Sequence, residues 1–571
     1  MLDIVETLLH EGLLTEVTAR RVRDLSSHGT PLEDALRQAD GLSEERLLRS
    51  LGAALDLPYV DLETVTPPKE LLAAFPARIL LERQLVPLED RGHFITVATS
   101  HVFDHAGLDE LRLLTGRECR PVLAPATEIE RCIKRLLGIG ADTLQSMNND
   151  EVEVVNEAAS DDELDLTKTA EDASIIKFVN QILAEALDLR ATDVHVEPFE
   201  KELRVRYRID GELQEANIPT SVKRYHAAIV SRLKILSHLD IAEKRLPQDG
   251  RIRLKVGKRE IDLRVSVIPM IHGEAVVLRI LDRGDALLGL EHLGMSPRDR
   301  HEFDRVLDLP HGIVLVTGPT GSGKTTTLYA ALSRINDVER KIITIEDPVE
   351  YQLRGINQIQ VATKAGMTFG AGLRAILRHD PDVVLVGEIR DGETAEIAVQ
   401  ASLTGHLVFS TLHTNDAPGA VTRLIEMGVE PYLVSSSLET VIAQRLVRLI
   451  CPACKEVDKT ADVAAARNEF GSEAPEVFYR GKGCRQCMGT GFRGRTGVFE
   501  MMPITEELRT MILERRSSGE LRRIAVQQGM NSLRGDGWRL VREGRTTLQE
   551  VLRNTKDEQL TQHTRSEARP A

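Results

Sequence analysis

Hydrophobic and polar positions follow two rhythms along this chain, and the change from one to the other divides it. In residues 193–197, 203–209 and 260–265 apolar and polar side chains alternate. A period of two marks a half-buried strand, so these segments predict an antiparallel sheet with one wet face. Helical spacing over 174–188 and around 221–238 predicts helices, the second covering the other face of that sheet. From about Gly312 unbroken apolar runs take over: Ile313-Val314-Leu315-Val316, Ile342-Ile343-Thr344-Ile345 and Val383-Val384-Leu385-Val386. Short buried strands alternating with helices predict a doubly wound, mainly parallel sheet. Towards the N-terminus, residues 1–60 carry helical spacing, with Leu8-Leu9 then Gly12-Leu13-Leu14 recurring loosely as Leu36 then Gly41-Leu42. Residues 61–140 mix helices with a strand at Phe94-Ile95-Thr96-Val97-Ala98. Residues 506–554 predict short helices bearing Arg515-Arg516 and Arg522-Arg523, pairs that either line a subunit interface or, as the favoured reading, are solvated, and the last fifteen residues are polar.

The first parallel strand leads into Gly318-Pro319-Thr320-Gly321-Ser322-Gly323-Lys324-Thr325, which fits G-x-x-x-x-G-K-[ST]. A strand before it and a helix from Thr326 after it are the setting the motif needs. Glycines let backbone N–H groups curl around the β- and γ-phosphates, and the helix start adds partial positive charge. Lys324 supplies a full charge and the Thr325 hydroxyl a ligand for Mg²⁺. The residues expected to bind nucleotide are therefore Gly318, Pro319, Thr320, Gly321, Ser322, Gly323, Lys324, Thr325 and Thr326.

Carboxylates follow at strand ends. Val383–Val386 delivers Gly387-Glu388, placed to activate water or to face Mg²⁺. A glutamate reaches past the metal shell, which favours the water. The strand at 342–345 ends in Glu346-Asp347-Pro348, whose carboxylates can also serve the metal. His406 and His413 flank a third short strand; spacing alone leaves a structural role and a phosphate-sensing role equally open. Arg374 and Arg378 stand four apart, hence on one helical face, and are candidates to neutralise charge building on the phosphates.

These segments resemble the four signatures of the secretion and type IV pilus traffic ATPases: the P-loop, 345–350, 382–391 and Leu403-Thr404-Gly405-His406. The resemblance runs from about Asp172 to the C-terminus. It implies that Glu388 is the catalytic glutamate, that Glu346 assists at the metal, and that His406 and His413 belong to the histidine box. It also implies that Arg251 and Arg264 reach the nucleotide from the preceding domain. The expected fold is multidomain α/β: a helical N-terminal domain (1–60), a small α/β adaptor (61–140), an acidic linker (141–172), a PAS-like α+β domain packing on nucleotide (173–285), and a RecA-like P-loop ATPase domain (286–571). Members of this family assemble as hexameric rings at the inner face of the bacterial inner membrane. The implied partners are a membrane platform protein and a membrane-anchored docking protein held by the N-terminal domains. In some members the N-terminal repeats bind cyclic di-GMP, and those repeats open with Arg-Leu-Gly. Here the stretches read Asp3-Ile4-Val5 and Pro31-Leu32-Glu33, so cyclic di-GMP is not an expected ligand. Type II secretion is the favoured member function, with pilus assembly as the alternative.

Four of the six cysteines form two C-x-x-C pairs, Cys451/Cys454 and Cys484/Cys487. Each turn presents two thiolates, and two turns make a closed four-sulfur Zn²⁺ site within an insertion at about 448–495. A site with no open position is structural. Cys119 and Cys132 are read as small buried apolar residues.

Bulk composition narrows the classes. Lys and Arg total 73 against 88 Asp and Glu, a net charge of −15. That balance opposes a nucleic-acid motor, which needs a dense cationic surface. A scaffold that binds ATP without turnover is opposed by the presence of Lys324, Thr325, Glu346 and Glu388 together. No apolar run reaches the roughly 20 residues needed to span a bilayer, and the N-terminus lacks the basic region of a signal peptide. The expected location is cytoplasmic, with membrane association through partners. From Asp150 to Asp172 ten acidic residues stand against one lysine, a self-repelling tether.

Overall fold

The computed structural model describes residues 4–555 apart from 11–13, 29–31, 38–42, 63, 66, 74, 76, 104, 138–151, 155–169, 257–258, 283–288, 461–465 and 468–474. Most of the acidic tether and the polar C-terminal tail therefore lie outside the described residues. The chain divides into two compact units, Met1–Leu281 and Asp282–Ala571.

The first unit begins with helices Ile4–His10, Glu16–Ser27, Leu32–Arg37 and Glu44–Leu55. Thr15 and Ser43 start the second and fourth by accepting the N–H groups of Thr18 and Arg46. Leu8, Val22, Leu36, Leu47 and Leu51 share one core. Next come β1 (Leu85–Asp90), β2 (Phe94–Thr99) and β3 (Glu118–Leu123), in that order across a small sheet. Sequence reading found only β2. Pro87 in β1 and Pro121 in β3 remove ladder donors and weaken the strand signal.

The larger sheet of this unit comprises β4 (Val152–Val154), β5 (Asp193–Pro198), β6 (Leu203–Ile209), β7 (Glu212–Glu215), β8 (Gln248–Val256), β9 (Arg259–Met270) and β10 (Gly273–Asp282). Its order is β4-β8-β9-β10-β5-β6-β7. Along β6, Leu203, Val205, Tyr207 and Ile209 are buried while the arginines between them are half-exposed, which is the expected period of two. Helices Ala170–Asp188 and His226–Leu236 contribute Val179, Leu183, Ile229 and Leu233 to the same core. Within the expected tether, Val152–Val154 is an edge strand antiparallel to β8.

The second unit holds the parallel sheet: β11 (Gly312–Thr317), β12 (Ile342–Glu346), β13 (Asn357–Gln360), β14 (Val383–Val386), β15 (Leu407–Leu412) and β16 (Leu438–Ile450). A small ladder, β17 (Lys455–Val457) with β18 (Tyr479–Gly481), follows, and then β19 (Phe492–Pro503). The order is β13-β12-β14-β15-β11-β16-β19, parallel except for the antiparallel β16–β19 edge. Ile313 and Leu315 face one core while Val314 and Val316 face another, so β11 is apolar on both sides because both sides are covered. Four helices between Glu506 and Asn554 close the unit. Arg522 there is not a solvated residue: it pairs with Asp416 at 2.7 Å.

Candidate functional site

Because β11, β12, β14, β15 and β16 run parallel, their C-terminal ends gather on one edge of the sheet. The glycine loop leaves the end of β11, and helix Lys324–Ile335 begins directly after it. Gly318 (φ 149) and Gly323 (φ 88) hold backbone angles that side chains resist. What leaves no room for a side chain there is β16. A Cβ on Gly318 would stand 2.5 Å from the Gln444 carbonyl oxygen, and one on Gly323 2.8 Å from its Nε2. Thr327 Oγ1 closes this seam by donating to Gln444 Oε1 at 2.8 Å.

Lys324 folds back over the loop, its Nζ donating to the carbonyls of Gly318 at 2.8 Å and Pro319 at 3.1 Å. Burial pushes its pKa down, the Glu388 carboxylate opposes that shift, and Arg445 adds to it. Thr320 and Gly321 are exposed, Thr325 and Thr326 half-buried in the first helical turn, and the buried Ser322 hydroxyl has no hydrogen-bond partner among the described residues. The loop thus presents backbone donors, hydroxyls and one ammonium to an anion.

Glu388 follows β14 with its side chain 13% exposed. One oxygen pairs with Arg390 and the other lies 3.2 Å from His413 Nε2. His413 stands just past the end of β15, in register beside the end of β11. His406 does not join it. It stands before β15, where its carbonyl accepts from Gly312 N, and its Nδ1 donates to the Ala401 carbonyl at 2.8 Å. Six strand residues at about 3.3 Å each put the two histidines on opposite edges of the sheet. In its own chain His406 secures the end of helix Gly392–Leu403.

Glu346 is buried at the end of β12 and its carboxylate is fully engaged. Thr344 Oγ1 donates to one oxygen at 2.6 Å and Gln358 Nε2 at 3.1 Å, while the Tyr329 hydroxyl donates to the other. Tyr329 belongs to the helix that the loop begins, so Glu346 ties that helix to β12. The Tyr329 pKa is pushed up by burial first and by the neighbouring Glu346 second.

The arginines are spread. Helix Phe369–Ile376 ends before Arg378, since the residue preceding Pro381 is barred from helical angles and Asp380 turns left-handed (φ 52). Arg374 pairs with Glu393 at 2.5 Å, and Arg378 Nη1 donates to the Arg374 carbonyl at 2.8 Å. The two are therefore not a helical-face pair. In the first unit, Arg251 on β8 and Arg264 on β9 face each other across the ladder, and Arg251 is held by both oxygens of Asp262 at 2.8 and 2.7 Å.

The cysteines do converge. Cys451, Cys454, Cys484 and Cys487 bring their sulfurs within 4.8 Å of one another. Three of the separations are 3.8 Å, Cys451–Cys484, Cys454–Cys487 and Cys484–Cys487. A tetrahedron of Zn–S bonds near 2.3 Å requires S···S separations of about 3.8 Å. Backbone N–H groups of Cys484 and Gly491 point at the Cys487 sulfur from 3.1 and 3.2 Å. Burial raises the Cys487 pKa, but these donors, together with the Cys454 and Cys484 thiols, bring it down to about 7. The donor set fits a metal held by thiolates.

Sequence reasoning missed Tyr329, Gln358, Gln444 and Arg445. The last two carried a signal, as adjacent polar residues that interrupt the apolar run of β16.

A family model described as type II/IV secretion system protein matches residues 168–553, and a second, the MshEN domain, matches 55–142. The type IV pilus assembly ATPase PilB of Myxococcus xanthus is 42% identical over 96% of this chain and 98% of its own length. Type II secretion system protein E of Pseudomonas aeruginosa is 56% identical over 69% of this chain and 78% of its own. The ATPase DotB of Legionella pneumophila shares the fold with a TM-score of 0.50 at 20% identity, over 66% of this chain and 94% of that one. A phosphate-binding loop ringed by strand-end acids and a match of this length lead to one conclusion: the chain belongs to the type II/IV secretion system protein family and is one of its ATPases.

Proposed function

We propose that this chain is a cytoplasmic ATPase motor that powers type II protein secretion by driving assembly of a pseudopilus. The observation that carries the reading is the cluster of Lys324, Glu388 and His413 around one glycine loop. ATP enters with its Mg²⁺. The loop N–H groups and Lys324 hold the polyphosphate, and Thr325 supplies a hydroxyl to the cation. Glu388, steadied by Arg390 and His413, orients the attacking water and takes its proton. Glu346 keeps the loop helix aligned with β12 and is one residue from Asp347, a second carboxylate for the cation's waters.

Arg251, Arg264, Arg374 and Arg378 are proposed to contact nucleotide, and the assembly is proposed to be a hexameric ring. Arg251 pairs with Asp262 and Arg374 with Glu393. The domain of residues 173–285 is proposed to be PAS-like and to deliver the first two of these arginines. The four cysteines would hold Zn²⁺, which supplies a fixed cross-link and takes no part in hydrolysis. No described helix is long and apolar enough to cross a membrane. Attachment to the inner membrane is therefore assigned to a platform protein and a docking protein, the latter through the N-terminal domains.

Pilus assembly is the second reading, favoured by the pilus ATPase that matches along the whole chain. Deleting the gene in its own bacterium separates the two. Retention of exported enzymes in the periplasm supports type II secretion; normal export with loss of surface pili establishes the alternative.

A further inference from the structure

Among the described residues, Arg445 is the one guanidinium beside the glycine loop that no carboxylate holds. It lies on β16 two residues past Ala443, the partner of Thr317 at the end of β11. It therefore flanks the loop on the side opposite β14 and β15, which bring Glu388 and His413. Its Nη1 would stand 3.2 Å from a Cβ on Gly318, the first glycine of the loop. Its hydrogen bonds go to neutral acceptors only: Asn415 Oδ1 at 3.1 Å, the Asn415 carbonyl at 3.4 Å and the Gln444 carbonyl at 3.4 Å. Other arginines of this unit are paired: Arg390 with Glu388, Arg374 with Glu393, Arg522 with Asp416 and Arg448 with Glu550. Among the described residues Arg445 has no ion pair, although it is half-buried, and burial pulls its pKa down while Asp416 and Glu500 act from further off. It is also close enough to Lys324 to disfavour that ammonium.

Two neighbouring cations, both partly desolvated and both aimed at one loop, repel each other until an anion lies between them. A polyphosphate removes that repulsion and offers the planar guanidinium the bidentate acceptor that carboxylates supply to the other arginines. We propose that Arg445 binds the polyphosphate of ATP from within the same chain, as a second cation opposite Lys324. The proposal rests on the ATPase reading but concerns a residue outside the motifs that led to it. Its neighbour Gln444 fixes the strand against the loop through Thr327, so the backbone that carries Arg445 is already registered to the phosphate site.

The test is calorimetric titration of the full chain with Mg·ATP, beside Arg445→Gln, Arg445→Met, Arg445→Lys and Asn415→Ala, each with a thermal melt. Loss of a charge-assisted contact to phosphate predicts roughly tenfold weaker ATP binding in both neutral variants and a flatter dependence on salt. Arg445→Lys keeps the charge but not the fork, so its affinity is expected to fall between the parent chain and the neutral variants. Asn415→Ala removes the neutral acceptor alone and should weaken binding much less than either neutral variant. ATP affinity and salt dependence unchanged in the neutral variants would overturn the proposal. So would a lysine variant no better than glutamine, or an Asn415→Ala loss as large as theirs, since either pattern means that Arg445 only props the loop. Should one neutral variant fail to fold, the other decides.

Discussion

His413 Nε2 lies 3.2 Å from a carboxylate oxygen of Glu388, so the residues that follow two adjacent strands meet beside the phosphate loop. Arg390 holds the other oxygen. The carboxylate is thereby fixed in orientation before any water arrives, which is what a water-positioning group needs.

His413 and His406 are predicted to behave differently. His413→Ala should lower kcat by about tenfold or more with little change in KM, because it loosens a group that acts on the water. His406→Ala should keep kcat close to the parent value and lower stability by about 1 kcal/mol, the worth of one hydrogen bond. Steady-state kinetics with a thermal melt on each variant checks both. Equal losses of kcat would mean that His406 acts at a site the single chain does not form.

The Tyr329–Glu346 bond predicts a stability effect ahead of a catalytic one. In Glu346→Gln an amide N–H₂ would face donors from Thr344, Gln358 or Tyr329, leaving at least one unsatisfied. The expected cost is about 1–3 kcal/mol, read from denaturant unfolding of the full chain. Tyr329→Phe should lose less, since it removes one donor and strands no carboxylate.

Arg448 and Glu550 join β16 to helix Leu548–Asn554 through two guanidinium bonds, at 3.1 and 2.7 Å, and a third from the Arg448 N–H at 3.2 Å. Both side chains are largely buried. Glu550→Ala should therefore destabilise by about 3–5 kcal/mol, because it leaves a buried charge without its partner. A loss below 1 kcal/mol would contradict this reading of the Arg448–Glu550 pair.

Metal analysis of the purified chain should find close to one Zn²⁺ per molecule, and Cys484→Ser should abolish it. Metal loss should lower the melting temperature, because Ile450 N donates to the Arg545 carbonyl at 2.8 Å and Phe478 shares a small core with Trp538. A stable, metal-free protein with four free thiols would contradict the zinc assignment.

Much of this was legible because the signals are local. The glycine loop, the apolar runs and the C-x-x-C pairs each state their geometry within a few residues. What stayed hidden depends on where strands begin and end. His406 and His413 look alike on paper, yet strand β15 carries them to opposite edges. Arg374 and Arg378 look like a helical pair until the turn before Pro381 ends the helix. Glu346 reads as a metal-facing acid, and its binding by Tyr329 and Gln358 is visible only once β12, β13 and the loop helix are assembled. Arg445 belongs to no motif, and parallel pairing of β16 with β11 is what brings it to the loop.

The most direct measurement is ATP turnover by the purified chain against Glu388→Gln, with ATP affinity determined for both. The account predicts that the variant binds ATP as the parent does and hydrolyses it at least about a hundredfold more slowly, the usual scale for removing a base from a proton transfer. Turnover by Glu388→Gln at the parent rate would contradict it.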